Sequence, residues 1–144
     1  LVAIGDPEIR SSIYQKLKKN NKKITSFIHD SCVISDNVNI SKGVICYPNS
    51  TIHNNVKIGY GSVVNSNVTV GHDTKILKYV NINPGVSIGG NCTISNSTIV
   101  GIGASIIQNI KISNNIIIGA GSIVTKNISK KGVYLGVPAT LKKN

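Results

Sequence analysis

The three histidines, His29, His53 and His72, are the side chains best suited to exchange protons near neutral pH. His72 stands out because Asp73 follows it directly, and a neighbouring carboxylate can orient an imidazole and raise its basicity. No serine or cysteine nucleophile with a paired histidine is evident in the sequence. We therefore predict that His72 is a general base assisted by Asp73, and that the acceptor attacks its target directly.

A six-residue repeat predicts where this pair lies. Every sixth residue from Ile28 to Val124 is aliphatic or cysteine, and the position four residues later is usually small or β-branched. A period of six does not fit an amphipathic helix, whose period is about 3.6, and it favours short strands joined by tight corners. Three such strands make one coil, and successive coils stack about 4.8 Å apart. The sequence therefore predicts a mainly β protein with a parallel β-helix, and an ordinary β-sandwich fits the regularity poorly.

The ends of the chain depart from the repeat. We predict the β-helix over 28–129. Residues 1–27 are predicted to hold a short strand at 1–4, a helix at 8–19 and a second strand at 24–27, which is typical of the closing part of a small α/β subdomain whose first part is missing. Residues 130–144 are predicted to form a C-terminal extension that packs back over the last coils, with a frayed end at 142–144.

The composition narrows the class of protein. One phenylalanine, five tyrosines and no tryptophan predict a thin aliphatic core. The net charge of +11 indicates either a solvated basic surface or attraction to phosphorylated ligands, whereas nucleic acid is not favoured because stacking aromatics do not alternate with the lysines. The three cysteines are predicted to be reduced and buried, as in a cytoplasmic protein. No apolar run approaches the roughly 18 residues of a membrane span.

Stacking by one coil places further residues on the edge that carries His72. Gly90, Gln108 and Lys126 follow His72 at successive steps of three repeats, and Gly89 precedes Gly90. We expect the two glycines to leave open space beside the imidazole and to offer backbone N–H groups to an oxyanion. Lys126 would lie on the order of 14 Å along the edge, where it could bind phosphates at the end of an extended pantetheine arm.

A second column, one edge over, is predicted to form an apolar wall from Pro84, Ile102 and Ala120. A single rod has no deep pocket, whereas three rods packed side by side create clefts between them. We therefore expect a homotrimer with a site shared between subunits. A base, an oxyanion donor and exclusion of water together suit acyl transfer from a thioester.

Nine segments of the sequence resemble the bacterial hexapeptide-repeat sugar acetyltransferases, and together they span essentially the whole chain. This family includes sialic acid O-acetyltransferases and PglD-like N-acetyltransferases that act on UDP-linked 4-amino sugars. The segments are Ala3-Ile4-Gly5, Glu8-Ile9-Arg10, Ile13-Tyr14, Phe27-Ile28-His29, Val64-Asn65, Val70-Gly71-His72-Asp73, Val100-Gly101-Ile102-Gly103-Ala104, Ile118-Gly119-Ala120-Gly121-Ser122 and Gly136-Val137-Pro138-Ala139.

The resemblance implies left-handed winding of the β-helix, a homotrimer, and acetyl-CoA as co-substrate without a metal. It implies that His72 is the proton acceptor and that Asp73 increases its basicity. It also implies acetyl-CoA contacts at three further positions and a remnant of the nucleotide-sugar site at Gly5. The three acetyl-CoA positions are Asn81, Ile102 and Ala120, and Asn81 departs from the histidine that PglD-like enzymes can carry there.

Two reactions remain open at this point. One is N-acetylation of a nucleotide-linked amino sugar for glycan or surface polysaccharide biosynthesis, and the other is O-acetylation of sialic acid or another sugar hydroxyl. A γ-type carbonic anhydrase would need three histidines converging on zinc, and the spacings between the three present do not stack them in one column. A non-catalytic structural rod would need flat ranks of threonine, which the sequence lacks.

Overall fold

A computed structural model describes residues 1–142, in which one helix, α1 (Pro7–Lys19), precedes a rod of short parallel strands. The strands recur every six residues, as predicted, and most are two residues long. From β1 to β17, each strand pairs with the strands 18 residues away, so that Asn81 is bonded between Val63 and Ile99. The prediction of a left-handed parallel β-helix is confirmed, and the rod has about six coils.

Three sheets form the sides of the rod. Sheet A contains β1 (Phe27–Ile28), β4 (Ile45–Cys46), β7 (Val63–Val64), β10 (Asn81–Ile82), β13 (Ile99–Val100), β16 (Ile116–Ile118), β18 (Gly132–Leu135) and the antiparallel β19 (Thr140–Leu141). Sheet B contains β2 (Val33–Ile34), β5 (Thr51–Ile52), β8 (Thr69–Val70), β11 (Ser87–Ile88), β14 (Ser105–Ile106) and β17 (Ile123–Val124). Sheet C contains β3 (Asn39–Ile40), β6 (Lys57–Ile58), β9 (Lys75–Ile76), β12 (Thr93–Ile94) and β15 (Lys111–Ile112).

The core is a narrow column of mostly aliphatic side chains, because each coil encloses only the residues that point inward from the three sheets. Val64, Val70 and Ile82 are fully buried, as the repeat predicts. The polar residues among them are hydrogen bonded: the Thr74 hydroxyl donates to the Gly89 carbonyl at 3.1 Å and accepts from the Cys92 N–H at 3.1 Å. Each inward hydroxyl therefore links its own coil to the next, which satisfies a buried polar group at little cost.

The cysteines are unpaired thiols. Cys46 and Cys92 are buried and Cys32 is partly buried. Burial raises the pKa of the Cys46 thiol to about 12, because a thiolate would lose its hydration there. Cys46 is therefore a protonated core residue at neutral pH, in keeping with its place in the repeat.

The N-terminal segment is docked directly on the rod through α1. Asp6 caps the helix by accepting from the N–H groups of Glu8 and Ile9 at 2.8 and 2.9 Å. The Tyr14 hydroxyl donates to the Gly43 carbonyl at 2.9 Å, and Arg10 is fully buried. The Arg10 guanidinium donates to the carbonyls of Gly61, Tyr79, Ile4 and Gly5 at 2.8, 3.0, 2.6 and 3.2 Å.

The two strands predicted before the repeat are wrong. Residues 1–4 form no strand, because the Val2 N–H donates to the Tyr14 hydroxyl and not to a neighbouring strand. In the second predicted segment, 24–27, the strand begins only at Phe27. This strand is β1, the first of the rod, and it pairs with β4. The helix prediction is confirmed, with its start at Pro7.

The last coil is two residues shorter than the others. Ile112 pairs with Ile128, and Ile117 pairs with Val133, so both partners are 16 residues apart. The chain then turns back in β19, where Leu141 packs against the core. The Lys142 N–H donates to the Val133 carbonyl at 2.7 Å, so the predicted fraying does not reach it, and residues 143–144 lie outside the described part.

In the described part of the chain, no helix is both long enough and apolar enough to cross a membrane.

We predict that Ile88→Asp unfolds the rod. The Ile88 side chain is buried in the hydrophobic core, and an aspartate there would have no partner for its charge. The free energy of unfolding should fall by about 4 kcal/mol or more, measured by chemical denaturation. Ser87→Asp is the matched control, since Ser87 is the exposed neighbour in the same strand and should leave stability nearly unchanged. Equal stability of the two variants would contradict the inward assignment of Ile88.

Candidate active site

His72 and Asp73 form the corner between strand β8 of sheet B and strand β9 of sheet C. Asp73 has a φ of +60°, a left-handed conformation that aspartate and asparagine adopt more readily than most residues. The corner therefore turns sharply and presents both side chains outward, with 68% of the His72 side chain and 49% of the Asp73 side chain exposed. The outward position predicted from the repeat is confirmed.

The two side chains are hydrogen bonded to each other. His72 Nδ1 lies 2.7 Å from Asp73 Oδ2, and Asn55 Nδ2 donates to Asp73 Oδ1 at 3.1 Å from one coil below. The hydrogen bonds from His72 and Asn55 lower the pKa of the Asp73 carboxyl below its usual value. Because an ionised carboxylate only accepts, the hydrogen of the neutral imidazole is assigned to Nδ1, which leaves the Nε2 lone pair free to take a proton.

The imidazole lies directly over Gly90. A Cβ atom at Gly90 would fall 2.6 Å from Nε2 and 2.7 Å from Cε1 of His72, so no other residue fits there without moving the ring. The expected open space beside the imidazole is therefore filled by the ring itself. Gly90 contributes to the site because it has no side chain that would displace the ring.

Of the two glycines expected to bind an oxyanion, only Gly90 is free to do so. The Gly89 N–H donates to the Ile106 carbonyl at 2.8 Å as part of the ladder between coils. The Gly90 N–H has no backbone acceptor among residues 1–142. The expectation for Gly89 is therefore wrong in this respect, because position 89 still belongs to the parallel hydrogen-bond pattern and position 90 has left it.

The column that begins at His72 holds its register for two further coils. The Asn91 N–H donates to the His72 carbonyl at 2.7 Å, and the Asn109 N–H donates to the Gly90 carbonyl at 2.9 Å. Lys126 is exposed, and it lies between Val124, which keeps the 18-residue register, and Ile128, whose partner is 16 residues away. Its distance from His72 is not fixed by stacking alone.

Asn81 and Gly5 meet on sheet A, away from His72. Asn81 is only 6% exposed, and its Nδ2 donates to the Gly5 carbonyl. Its Oδ1 is buried and has no hydrogen-bond partner among the described residues. A cavity of about 210 Å³ adjoins both residues and is lined also by Ala3, Ile4, Ile45, Tyr47, Val63, Asn65 and Asn83.

Ile102 and Ala120 lie on a third part of the rod, the corner between sheets A and B. The Gly121 N–H donates to the Ile102 carbonyl at 2.8 Å, so the two residues stack on adjacent coils as predicted. Both are exposed, Ile102 by 61%. Sheet B separates this apolar column from the corner with His72, so one rod does not bring the predicted residues together in a single pocket.

The other two histidines are not arranged for catalysis. His29 Nδ1 lies 2.9 Å from the Ser31 hydroxyl, and His53 is exposed. Within residues 1–142 no group of three His, Cys, Asp or Glu side chains is placed to hold a metal ion.

No role was predicted for Asn55, although the 18-residue spacing that places Gly90 beside His72 also places Asn55 beside Asp73. Asn55 precedes Asp73 by 18 residues and must therefore lie beside it on the previous coil. Arg10 was part of the quoted Glu8-Ile9-Arg10 segment, but the burial of its guanidinium under the N-terminal segment has no signal in a single sequence.

No family model matches this chain, and no curated protein matches it either. Solved structures do match it. A histidine-to-asparagine mutant of perosamine N-acetyltransferase from Caulobacter crescentus, in complex with CoA and GDP-perosamine, superposes with a TM-score of 0.98 at 26% identity, over 100% of this chain and 69% of that chain. The acetyltransferase domain of PglB from Neisseria gonorrhoeae, in complex with acetyl coenzyme A, superposes with a TM-score of 0.95 at 26% identity, over 98% and 69%. WeeI from Acinetobacter baumannii superposes with a TM-score of 0.93 at 30% identity, over 96% and 68%.

We predict that Asn55→Gly raises the pKa of the Asp73 carboxyl, because it removes one of the two hydrogen bonds that favour the ionised form. Glycine tolerates the φ of +62° at this corner, so the fold should be kept. The pKa is measured by following the Asp73 carboxyl carbon by NMR as the pH is lowered.

Asn91→Gly is the control for this variant. Asn91 has the same corner conformation, with a φ of +56°, and donates to Asn109 and not to Asp73. The pKa of Asp73 should be unchanged in this variant. A pKa that moves equally in both variants, or in neither, would show that Asn55 does not act on Asp73.

Proposed function

Because this chain belongs to the hexapeptide-repeat sugar acetyltransferases, we propose that it transfers the acetyl group of acetyl-CoA to the amino group of a nucleotide-linked amino sugar. The observation that carries the proposal is the exposed His72–Asp73 pair, whose Nε2 is free beside a glycine N–H without a backbone partner. The perosamine enzyme, which is an N-acetyltransferase bound to CoA and GDP-perosamine, supports an amine acceptor and a nucleotide-linked sugar. The PglB domain supports acetyl-CoA as the donor.

In the proposed reaction, the amine nitrogen of the sugar attacks the thioester carbonyl while His72 Nε2 accepts the proton that the amine loses. The Gly90 N–H donates to the oxygen that becomes negative as the C–N bond forms. When the C–S bond breaks, the imidazolium returns its proton to the departing sulfur, so His72 ends in its starting state. Asp73 keeps Nδ1 protonated throughout and stabilises the positive imidazolium by its charge.

We propose that the site is completed by a second copy of the chain within a homotrimer. Three predicted groups lie on different parts of one rod: His72 on one corner, Asn81 with Gly5 on sheet A, and Ile102 with Ala120 on another corner. The last coils also expose large apolar side chains, which favours contact with another copy. These side chains are Ile102, Ile107, Ile117, Leu135 and Val137.

His72→Ala is expected to lower kcat by about 100-fold or more, because the acceptor amine then loses its proton without a positioned base. Release of CoA thiol from acetyl-CoA is measured with a UDP- or GDP-linked 4-amino sugar as the acceptor. His53→Ala is the matched control, since His53 is also exposed and has no carboxylate next to it in the sequence. A kcat that is unchanged in His72→Ala would exclude the proposed base.

The choice of acceptor separates N- from O-acetylation. The nucleotide-linked 4-amino sugar should be acetylated by the wild-type protein, and free sialic acid should not. Turnover of sialic acid alone would replace the proposed reaction with O-acetylation, which can use the same base. Inactivity towards both acceptors would contradict the acceptor class.

A shared site predicts that two inactive variants restore each other when they assemble together. His72→Ala and Ile102→Asp should each be nearly inactive alone. In trimers formed at random from equal amounts, each mixed trimer would hold one boundary with both residues intact, so about a quarter of wild-type activity should return. Mixed trimers, purified with two different affinity tags, that show no activity would contradict the shared site.

A further inference from the structure

The three sides of the rod present different chemistry to the outside. Because a two-residue strand turns one side chain inward and the other outward, each sheet carries one row of outward side chains along the rod. The row on sheet A is mostly apolar, and the row on sheet B consists of small or apolar neutral residues. Among the described strands, only sheet C has charged residues in its row. The members of that row are Asn39, Lys57, Lys75, Thr93 and Lys111.

The lysines of this row are placed where they repel one another. Lys57 and Lys75 are direct partners in the parallel ladder, and both are exposed. Like charges on neighbouring strands are unfavourable. The rod does not need charge at such positions, because the equivalent partners in sheet B are Thr51 and Thr69, which pair in the same way. The fold therefore does not account for the lysines of sheet C.

Carboxylates of the described chain do not neutralise these lysines. Of the five Asp and Glu residues in the sequence, none lies in a strand of sheet C or at the corner that joins sheet C to sheet A. Asp73 lines the same surface groove as Lys57 and Lys75, but its carboxylate is hydrogen bonded to His72 and Asn55. The one ion pair within residues 1–142 is His72–Asp73, so the row keeps its full positive charge.

The proposed homotrimer does not require sheet C to be buried. The groups expected at the shared site lie at the His72 corner, on sheet A and at the corner between sheets A and B. The five outward residues of sheet C are all polar, whereas contacts between copies favour apolar side chains. Lys42 and Lys78 add charge at the corner that joins sheet C to sheet A, and both are exposed. We call the following residues the basic face: Lys42, Lys57, Lys75, Lys78 and Lys111.

We propose that the basic face binds a membrane surface rich in anionic phospholipids, with the axis of the rod parallel to the bilayer. Lysines held near such a surface are attracted to it within about a Debye length, which is ~10 Å at 0.1 M salt. From Lys57 to Lys111 the row runs along the rod for about 14 Å, so its charges can meet several headgroups at once. Single-stranded nucleic acid fits less well, because the row has no aromatic ring on which a base could stack. The inference goes beyond the proposed acetyl transfer and does not depend on it.

The test is co-sedimentation at low salt with vesicles of phosphatidylglycerol and phosphatidylcholine. The wild-type protein should sediment with these vesicles and not with vesicles of phosphatidylcholine alone. In the triple variant Lys57→Gln, Lys75→Gln, Lys111→Gln, the lipid concentration that binds half of the protein should rise about 100-fold, because three attractive charges are lost.

The matched control is Lys16→Gln, Lys19→Gln, Lys142→Gln. It removes the same net charge from exposed positions outside sheet C and should leave the half-binding lipid concentration nearly unchanged. Far-ultraviolet circular dichroism verifies that both triple variants are folded. Binding of the wild-type protein should also be lost in about 1 M salt, where the Debye length is ~3 Å, because the row has no apolar side chain to insert into the bilayer.

Four results would overturn the proposal: no binding to the anionic vesicles, equal binding to the neutral ones, unchanged binding in the sheet C variant, or an equal loss in the control. Tighter binding to DNA than to anionic vesicles at the same phosphate concentration would replace the lipid surface with nucleic acid. Vesicle binding needs neither acetyl-CoA nor a sugar acceptor. Failure of the acetyltransferase assay and failure of this surface are therefore distinguishable.

Discussion

The stacking of one coil on the next is the constraint on which everything else in this protein depends. Most strands have only two residues, so a single strand could not hold a side chain in place. The parallel hydrogen bonds between coils, such as those that place Asn81 between Val63 and Ile99, fix the position of every residue relative to those 18 earlier and later. A corner residue is therefore located by the whole stack, and the exposed His72 has a defined position without a surrounding pocket.

This constraint explains how a catalytic pair can be built in the open. Asp73 accepts hydrogen bonds from His72 and from Asn55, one on its own corner and one on the coil below. Gly90, on the coil above, lies against the imidazole, and its N–H has no backbone acceptor among the described residues. Three successive coils thus supply Asn55, the His72–Asp73 pair and the glycine against which the imidazole lies. The remaining requirement, exclusion of water, is what a single rod does not provide, and this is the physical reason for the proposed second copy.

Much of this could be predicted from the sequence because the repeat converts residue number into position. The outward placement of His72 and the contact between Ile102 and Ala120 both follow from counting, and so would the contact between Asn55 and Asp73. Counting fails where the period changes: the last coil is two residues shorter between Val124 and Ile128, which is where Lys126 lies. It also fails for groups whose partners are backbone atoms, such as the Gly89 N–H, because a pattern of side chains does not reveal which amide the ladder uses. The strand predicted at 1–4 is wrong for another reason: a short apolar run forms a strand only when a neighbouring strand is present to pair with it.

Two departures from the usual corner residues lie next to the functional features of this rod. Left-handed corners in the described chain carry glycine or asparagine except at Asp73, Tyr79 and Ser97. The first gives the imidazole its carboxylate, and the second fixes Arg10, which in turn holds the carbonyls of Ile4 and Gly5 over sheet A. Asn81 replaces an apolar outward residue of the same sheet and meets Gly5 there. Only the first of these contacts requires the particular side chain: neither glycine nor asparagine could supply the carboxylate at position 73. Arg10 binds the backbone carbonyl of Tyr79, which any residue offers, and what Tyr79 adds is a ring that packs edge-on against Tyr60.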